Sequence, residues 1–271
     1  MITTTNLEHW LAACQDIAIE AGHEIMDVYG SDFEVEHKQD ESPVTEADLR
    51  AHRVIEKRLK ALTPDIPILS EEEKALPFEV RQTWETYWLV DPLDGTREFV
   101  KRNDEFTVNI ALIHQHNTIL GVVYTPVLET LYFAAEGLKA WRRQADAPKQ
   151  AIQCRVLDDQ HLRLASSRSH ANETLQAFVA RLGEHESFPM GSSLKFCIIA
   201  EGKADLYPRL GLTSEWDTAA AQCVVEQAGG QVTDTQMRPL KYNTKDSLLN
   251  PHFFVFGAQS RDWSKYLSES Q

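Results

Sequence analysis

The chain has 271 residues, of which 42% are hydrophobic and 25% are charged, which is the composition of an ordinary globular protein. Its 27 Lys and Arg residues against 41 Asp and Glu residues give a net charge of -14, which argues against a nucleic-acid-binding surface. This charge does not exclude a small phosphorylated substrate, because bound metal ions supply positive charge locally.

No apolar stretch reaches the ~20 residues that a membrane span needs, and the N-terminus lacks the pattern of a signal peptide. The 4 cysteines are scattered without a C-x-x-C pair, which argues against a zinc or thioredoxin-like motif and fits a reducing compartment.

The first two predicted helices lie near the N-terminus. Apolar residues recur at helical spacing from Leu7 to Ile25, after a capping box predicted at Thr5 and Glu8. Residues 33–36 alternate like a short strand. The second helix is predicted from Thr45 to about residue 62, and Asp48 lies where a capping acid would lie, so capping explains this residue about as well as a function does.

A buried strand is predicted to end in the segment Asp91-Pro92-Leu93-Asp94-Gly95-Thr96. Two carboxylates that converge on one turn repel each other unless a cation lies between them, and clustered carboxylates suit Mg²⁺ or Mn²⁺. The alternative is an Asp-rich surface turn. Upstream, Glu71 follows a short apolar run and either belongs to a solvated acidic turn or faces the same cavity.

Three alternating runs follow, at 106–113, 119–124 and 131–135, and they predict an antiparallel meander. A domain boundary is predicted near residue 150, between an N-terminal α+β domain (1–150) and a C-terminal α/β domain (151–271). In the second domain, strands and helices alternate, and Asp217 lies at the start of a predicted helix.

Four acids end strands or begin helices: Glu71, Asp91, Asp94 and Asp217. If they share a cavity, two divalent ions about 4 Å apart would activate a water and stabilise the leaving oxygen of a displacement at phosphorus. The N–H groups of Gly95 and Thr96 would hold phosphoryl oxygens. No P-loop or kinase motif is present, so phosphoryl transfer from ATP is not indicated. The positions of the four acids alone indicate a metal-dependent hydrolase.

The sequence resembles the lithium-sensitive inositol monophosphatase superfamily over nearly its whole length. Its D-P-[IL]-D-G-T signature corresponds to residues 91–96, its second signature to residues 216–220 with Gly229-Gly230, and its other acidic elements to residues 43–48 and 70–72. The resemblance implies the inositol-monophosphatase-like sugar-phosphatase fold, a layered αβαβα arrangement of the α+β class, with a metal site in the cleft between the two halves.

Several stretches resemble the 3'(2'),5'-bisphosphate nucleotidase branch, among them residues 105–112, 167–170, 191–197 and 206–209. The resemblance implies that adenosine 3',5'-bisphosphate is hydrolysed to AMP and phosphate, with two or three Mg²⁺ ions, in sulfate assimilation and nucleotide homeostasis. It also implies a monomer or homodimer in the cytoplasm, with some members on the inner face of the inner membrane.

The resemblance also implies roles for individual residues. Glu71, Asp91 and the Leu93 carbonyl would hold one metal, and Asp91, Asp94 and Asp217 would hold the second. The catalytic set would be Glu71 with Thr96 and Asp48, which orient the attacking water. The substrate would contact residues of both signatures and a nucleotide-binding group: Leu93, Asp94, Gly95, Thr96, Asp217, His170, Ser192, Lys195 and Arg209.

Two alternatives remain open. One is an inositol monophosphatase or related sugar phosphatase with the same fold. The other is a protein that binds metal or nucleotide without turnover.

Overall fold

The computed structural model describes residues 2–32, 35–37, 43–74, 76–168, 172–259 and 261–267. In these residues the helices are α1 (Thr4–Tyr29), α2 (Glu46–Leu62), α3 (Phe78–Arg81), α4 (Thr96–Val100), α5 (Glu173–Leu182), α6 (Leu194–Ala200) and α7 (Ala219–Gln227). The strands before residue 153 are β1 (Val35–His37), β2 (Pro43–Thr45), β3 (Ile68–Ser70), β4 (Thr86–Asp94), β5 (Thr107–His114), β6 (Asn117–Thr125), β7 (Thr130–Ala135), β8 (Ala140–Gln144) and β9 (Gln150–Ile152). Those after it are β10 (Arg163–Ser167), β11 (Glu186–Met190), β12 (Leu206–Arg209), β13 (Gln231–Asp234) and β14 (Phe253–Phe256), and 3₁₀ turns span Glu215–Asp217 and Trp263–Tyr266.

Within the described residues, two large sheets form the framework. The seven-stranded sheet has the order β3-β4-β5-β6-β7-β8-β9, with β3 parallel to β4 and the other pairs antiparallel. The five-stranded sheet has the order β11-β10-β12-β14-β13. The pairing of β5, β6 and β7 confirms the predicted antiparallel meander.

Side chains of the seven-stranded sheet are buried on both faces, because alternate residues of a strand point to opposite faces. Ile110 and Leu112 pack with α1 and α2, whereas Ala111 and Ile113 pack with α6 and α7. The same two inner helices also cover one face of the five-stranded sheet, and Phe178 of α5 packs on its other face. This succession of layers confirms the expected αβαβα fold.

The inner helix α7 lies directly against β6. A Cβ atom on Gly121 would lie 2.1 Å from the Ala220 carbonyl oxygen, so only glycine permits this approach of helix to strand. The contact holds α7, and with it the 3₁₀ turn that precedes it, close to the larger sheet.

Some local predictions differ from the structure. α1 begins at Thr4, and its capping box is formed by Thr3 and Asn6, so the predicted box at Thr5 and Glu8 is wrong. The Asn6 side chain accepts from the Thr3 N–H at 3.0 Å, which allows the helix to begin two residues earlier. β1 begins at Val35, and residues 33 and 34 of the predicted strand lie outside the described residues.

The larger sheet continues to Ile152 through β8 and β9, whose side chains are mostly polar and partly exposed.

All 4 cysteines are free and buried: Cys14, Cys154, Cys197 and Cys223. In the described part of the chain, we find no helix with the length and apolar character to cross a membrane.

Candidate metal-dependent active site

The end of β4 brings two acids to one cleft. The pairing of β4 with β5 shifts register between Asp91 and Asp94. Residues three apart in a regular strand point to opposite faces, but this irregularity between the two acids lets both carboxylates line the same cavity of about 750 Å³. The sequence pattern predicts the turn, and the register shift explains how both acids face one cleft.

Gly95 forms the tight link between β4 and α4. Its φ of +93° is in the left-handed region, which strains any residue with a Cβ atom. A Cβ there would also lie 3.1 Å from the Glu105 carbonyl oxygen and 3.3 Å from the Ser192 Cβ. Glycine is therefore required for Thr96 to begin α4 directly after the two acids.

The cleft contains four acids, which we call the acid cluster: Glu71, Asp91, Asp94 and Asp217. Ligand atoms of Glu71, Asp91 and Asp217 lie within 4.8 Å of one another. Burial raises the pKa of Asp91 and of Asp217 well above the usual aspartate value, and the neighbouring carboxylates raise both further. A bound divalent cation would offset this repulsion, and an all-oxygen donor set fits Mg²⁺.

Asp48, which is buried, and Thr96, which is half-buried, form a pair beside the acid cluster. The Thr96 hydroxyl lies 3.1 Å from Asp48 Oδ1 and 3.3 Å from the Leu93 carbonyl oxygen. The other oxygen of Asp48 accepts from the N–H and the hydroxyl of Thr45, each at 2.7 Å, and so completes the cap of α2. Asp48 therefore caps the helix with one oxygen and contacts Thr96 with the other, and burial raises its pKa.

Residues of the C-terminal half of the chain hold the Asp94 side chain by hydrogen bonds. Its Oδ2 accepts from the Ser192 hydroxyl at 2.6 Å and from the Ser193 N–H at 2.7 Å. The resemblance assigned Ser192 to the nucleotide, and the structure places its hydroxyl against Asp94. Ser193 was missed by the sequence reasoning, because its contact with Asp94 joins residues 99 positions apart.

Two buried cations, which we call the basic pair, line the same cleft: Lys195 and Arg209. Lys195 Nζ donates to the Ser192 carbonyl oxygen at 2.6 Å and lies 5.4 Å from the centroid of the Tyr207 ring. Burial lowers the pKa of Lys195 to about 8. Arg209 donates from Nη2 to the Leu212 carbonyl oxygen at 2.7 Å, whereas its buried Nε has no partner among the described residues. His170 lies outside the described residues.

Glu105 is a further residue that the sequence reasoning missed. Its Oε2 accepts from the Gly191 N–H at 2.7 Å and from Arg168 Nε at 2.8 Å. Glu105 precedes β5, whereas Gly191 and Arg168 follow β11 and β10. The carboxylate therefore connects the two halves of the chain next to the turn that carries Ser192 and Ser193.

A cleft between two sheets, with clustered carboxylates and a buried basic pair in one cavity, defines a metal-dependent phosphatase of the layered α+β class. The model of the inositol monophosphatase family matches residues 6–263, and the chain belongs to this family.

Relatives of the chain have a more specific description. This chain is 54% identical over 244 residues to the 3'(2'),5'-bisphosphate nucleotidase CysQ of Salmonella typhimurium. The aligned region covers 89% of this chain and 97% of the relative. The Escherichia coli K12 protein of the same name is 53% identical over the same share. The crystal structure of CysQ from Bacteroides thetaiotaomicron superposes with a TM-score of 0.81 at 39% identity, covering 92% of this chain and 97% of that one.

Proposed function

We propose that this protein is a Mg²⁺-dependent 3'(2'),5'-bisphosphate nucleotidase that hydrolyses adenosine 3',5'-bisphosphate to AMP and phosphate. The relatives named CysQ support this proposal through their identity over nearly the whole chain. The structural observation that carries it is that the acid cluster and the basic pair line one cleft. Such a cleft suits a substrate with one phosphate to be cleaved and a second to be recognised.

The acid cluster would hold the metal ions. We assign Glu71, Asp91 and the Leu93 carbonyl to one ion, and Asp91, Asp94 and Asp217 to a second. When bound, these ions supply Lewis acidity and lower the pKa of the attacking water. The resemblance predicts two or three ions, a monomer or homodimer, and a cytoplasmic location that includes the inner face of the inner membrane; these points stay predictions.

Thr96 and Asp48 would orient the attacking water. The Thr96 hydroxyl accepts a hydrogen bond from the water while it donates its own proton to Asp48 Oδ1, at the observed distance of 3.1 Å. Because burial raises the pKa of Asp48, this carboxylate accepts a proton more readily than an exposed one. The pair would therefore direct a lone pair of the water at the phosphorus and take up the proton it releases.

The basic pair would bind the phosphate that is not cleaved. Charge-assisted hydrogen bonds from Lys195 and Arg209 to a second phosphate would favour a bisphosphate over a monophosphate. The buried Arg209 Nε, unpaired among the described residues, would gain a partner from such a substrate. A sugar monophosphate would leave this donor without a partner, which is costly in a buried site.

The substrate is tested by comparing kcat/KM for adenosine 3',5'-bisphosphate with that for inositol 1-phosphate, both in Mg²⁺. We expect a large preference for the nucleotide. A preference for the inositol ester would instead favour the alternative of an inositol or sugar phosphatase.

Turnover itself is tested with Asp94→Asn, which removes one proposed metal ligand. We expect phosphate release to fall by at least ~10³-fold, whereas Asp146→Asn, at an exposed acid, should leave the rate unchanged. If the wild-type protein binds nucleotide and Mg²⁺ but releases no phosphate, the alternative of a non-catalytic binding protein is correct.

A further inference from the structure

Ser193 occupies the point where the two halves of the chain meet beneath the cleft. It directly precedes α6 and its exposed fraction is 2%. Its hydroxyl oxygen lies 2.9 Å from Asp94 Oδ2 and 2.7 Å from the Asp217 carbonyl oxygen. The hydroxyl also accepts from Asn109 Nδ2 at 3.0 Å. One buried hydroxyl therefore contacts both segments that carry the proposed ligands of the second metal.

The two oxygens of the Asp94 carboxylate differ in the number of hydrogen bonds that they accept. Oδ2 accepts from the Ser192 hydroxyl and from the Ser193 N–H, and the Ser193 hydroxyl lies within hydrogen-bonding distance. Among the described residues, the hydrogen bonds to the Asp94 side chain all end on Oδ2. An oxygen with this many donors has little capacity left for a cation, so Oδ1 is the oxygen that remains available to bind one.

Asn109 restricts the orientation of the Ser193 hydroxyl. Because the hydroxyl oxygen accepts from the Asn109 amide, its single proton is left to be donated either to Asp94 Oδ2 or to the Asp217 carbonyl oxygen. Asn109 is buried on β5, the strand that pairs with the β4 end carrying Asp91 and Asp94. The arrangement links the central strands of the larger sheet, α6 and the 3₁₀ turn through one side chain.

We infer that Ser193 is a positioning residue for the second metal, which orients the Asp94 carboxylate so that Oδ1 is presented to the ion and holds the Asp217 segment beside it. The inference rests on the proposed function, because it assumes that Asp94 and Asp217 are ligands. Partners that orient metal ligands by hydrogen bonds contribute about 10–100-fold to metal affinity or activity.

Ser193→Ala tests this role, with Ser187→Ala as the matched control. Ser187 is exposed on β11, and its hydroxyl contacts that of Ser166. Binding is measured with Mn²⁺ alone, by the electron paramagnetic resonance signal of the free ion, on the full-length variants. We expect Ser193→Ala to weaken Mn²⁺ binding by about 10–100-fold at the second site, and Ser187→Ala to leave it unchanged.

The activity in Mg²⁺ gives a second readout that a purely structural role would not change. We expect Ser193→Ala to raise the Mg²⁺ concentration of half-maximal activity, with most of the rate restored at saturating Mg²⁺. Ser193→Thr keeps the hydroxyl and should bind Mn²⁺ with nearly wild-type affinity. Thermal melting checks that each variant is folded, and if Ser193→Ala is not, Ser193→Cys carries the same prediction, because a thiol has similar volume and is a poor donor.

The outcomes separate the inference from the proposed function. If the wild-type protein binds no Mn²⁺, the proposed function is wrong. If the wild-type protein binds Mn²⁺ and the folded variant without the hydroxyl binds it with the same affinity, the role assigned to Ser193 is wrong and the proposed function stands.

Discussion

The acid cluster and the basic pair carry opposite charges in one cleft, and burial shifts the pKa values of Asp91 and Asp217 in one group and of Lys195 in the other in opposite directions. The pKa values of Asp91 and Asp217 are raised, and that of Lys195 is lowered to about 8. In both groups the charged form is the one that burial disfavours. A ligand of opposite charge would therefore stabilise each group: a cation for the acids and, under the proposed function, a phosphate for the bases.

The two groups differ in how the chain builds them. The acid cluster draws on β3, β4 and the 3₁₀ turn, and so on both halves of the chain, whereas Lys195 on α6 and Arg209 on β12 both belong to the C-terminal half. Metal binding should therefore depend on how the halves meet, and recognition of the second phosphate should not. Substitutions in one group should leave the ligand of the other group bound.

The strongest test of this separation is Asp91→Asn. Asp91 is the proposed bridging ligand, so we expect kcat for adenosine 3',5'-bisphosphate to fall by at least ~10³-fold. Binding of the nucleotide product AMP, measured by calorimetry, should persist. Phosphate release close to the wild-type rate would show that the acid cluster does not hold a catalytic metal.

Lys195→Met tests the basic pair. It keeps an unbranched side chain but removes the charge, and a hydrogen bond to a charged group contributes about 1.5–3 kcal/mol. We expect KM for the bisphosphate to rise by about 10–100-fold without a loss of Mn²⁺ affinity, because Lys195 repels a cation near Asp94. Lys203→Met, at an exposed lysine paired with Glu201, is the matched control. A loss of Mn²⁺ affinity in Lys195→Met would contradict the separation of the two groups.

The pH dependence of kcat/KM tests whether the positive charge of Lys195 binds the bisphosphate. Lys195 is protonated below its pKa of about 8 and loses its charge as the pH rises through that value. The free enzyme should therefore lose affinity for the bisphosphate above pH 8, by about tenfold per pH unit. Lys195→Arg should remove this decline, because arginine stays charged. A decline that persists in Lys195→Arg would assign it to another group.

The smallest expected effect concerns stability without metal. Folding raises the pKa of Asp217, so at neutral pH, well above the unfolded value, its charge destabilises the metal-free protein. Asp217→Asn removes the charge and keeps an acceptor for the Ser214 N–H, which now donates to Asp217 Oδ2 at 2.9 Å.

In EDTA we expect the Tm of Asp217→Asn to exceed that of the wild-type protein by a few degrees, since about 1 kcal/mol shifts Tm by about 2–4 °C in a chain of this size. Mg²⁺ should raise the Tm of the wild-type protein more than that of the variant. A lower Tm of the variant in EDTA would contradict the repulsion that we assign to the acid cluster.

The sequence predicted the parts of the site that have a local pattern. Asp91 and Asp94 follow an apolar run and precede a glycine, so they could be recognised as a strand end that carries carboxylates. The meander and the layered fold followed from alternation and from the family resemblance. Asp48 was ambiguous because its position fits a helix cap, and the structure shows that it both caps α2 and contacts Thr96.

Other parts of the site could not be predicted, because they depend on contacts between distant residues. Ser193 reaches Asp94 across 99 positions, and Glu105 reaches Gly191 across 86. The second serine of Gly191-Ser192-Ser193 or an acid before a strand gives no signal of such a partner. The burial that lowers the pKa of Lys195 likewise arises only when α6 packs between the two sheets.

The four cysteines bear on how the protein responds to oxidants. Each thiol is free and buried, and burial raises the pKa of every one. Because the thiolate is the form that reacts with peroxides and alkylating reagents, a thiol that stays protonated inside the fold is inert. The native enzyme should thus keep its activity without a reducing agent, and oxidative damage should reach these sulfur atoms only after the chain unfolds.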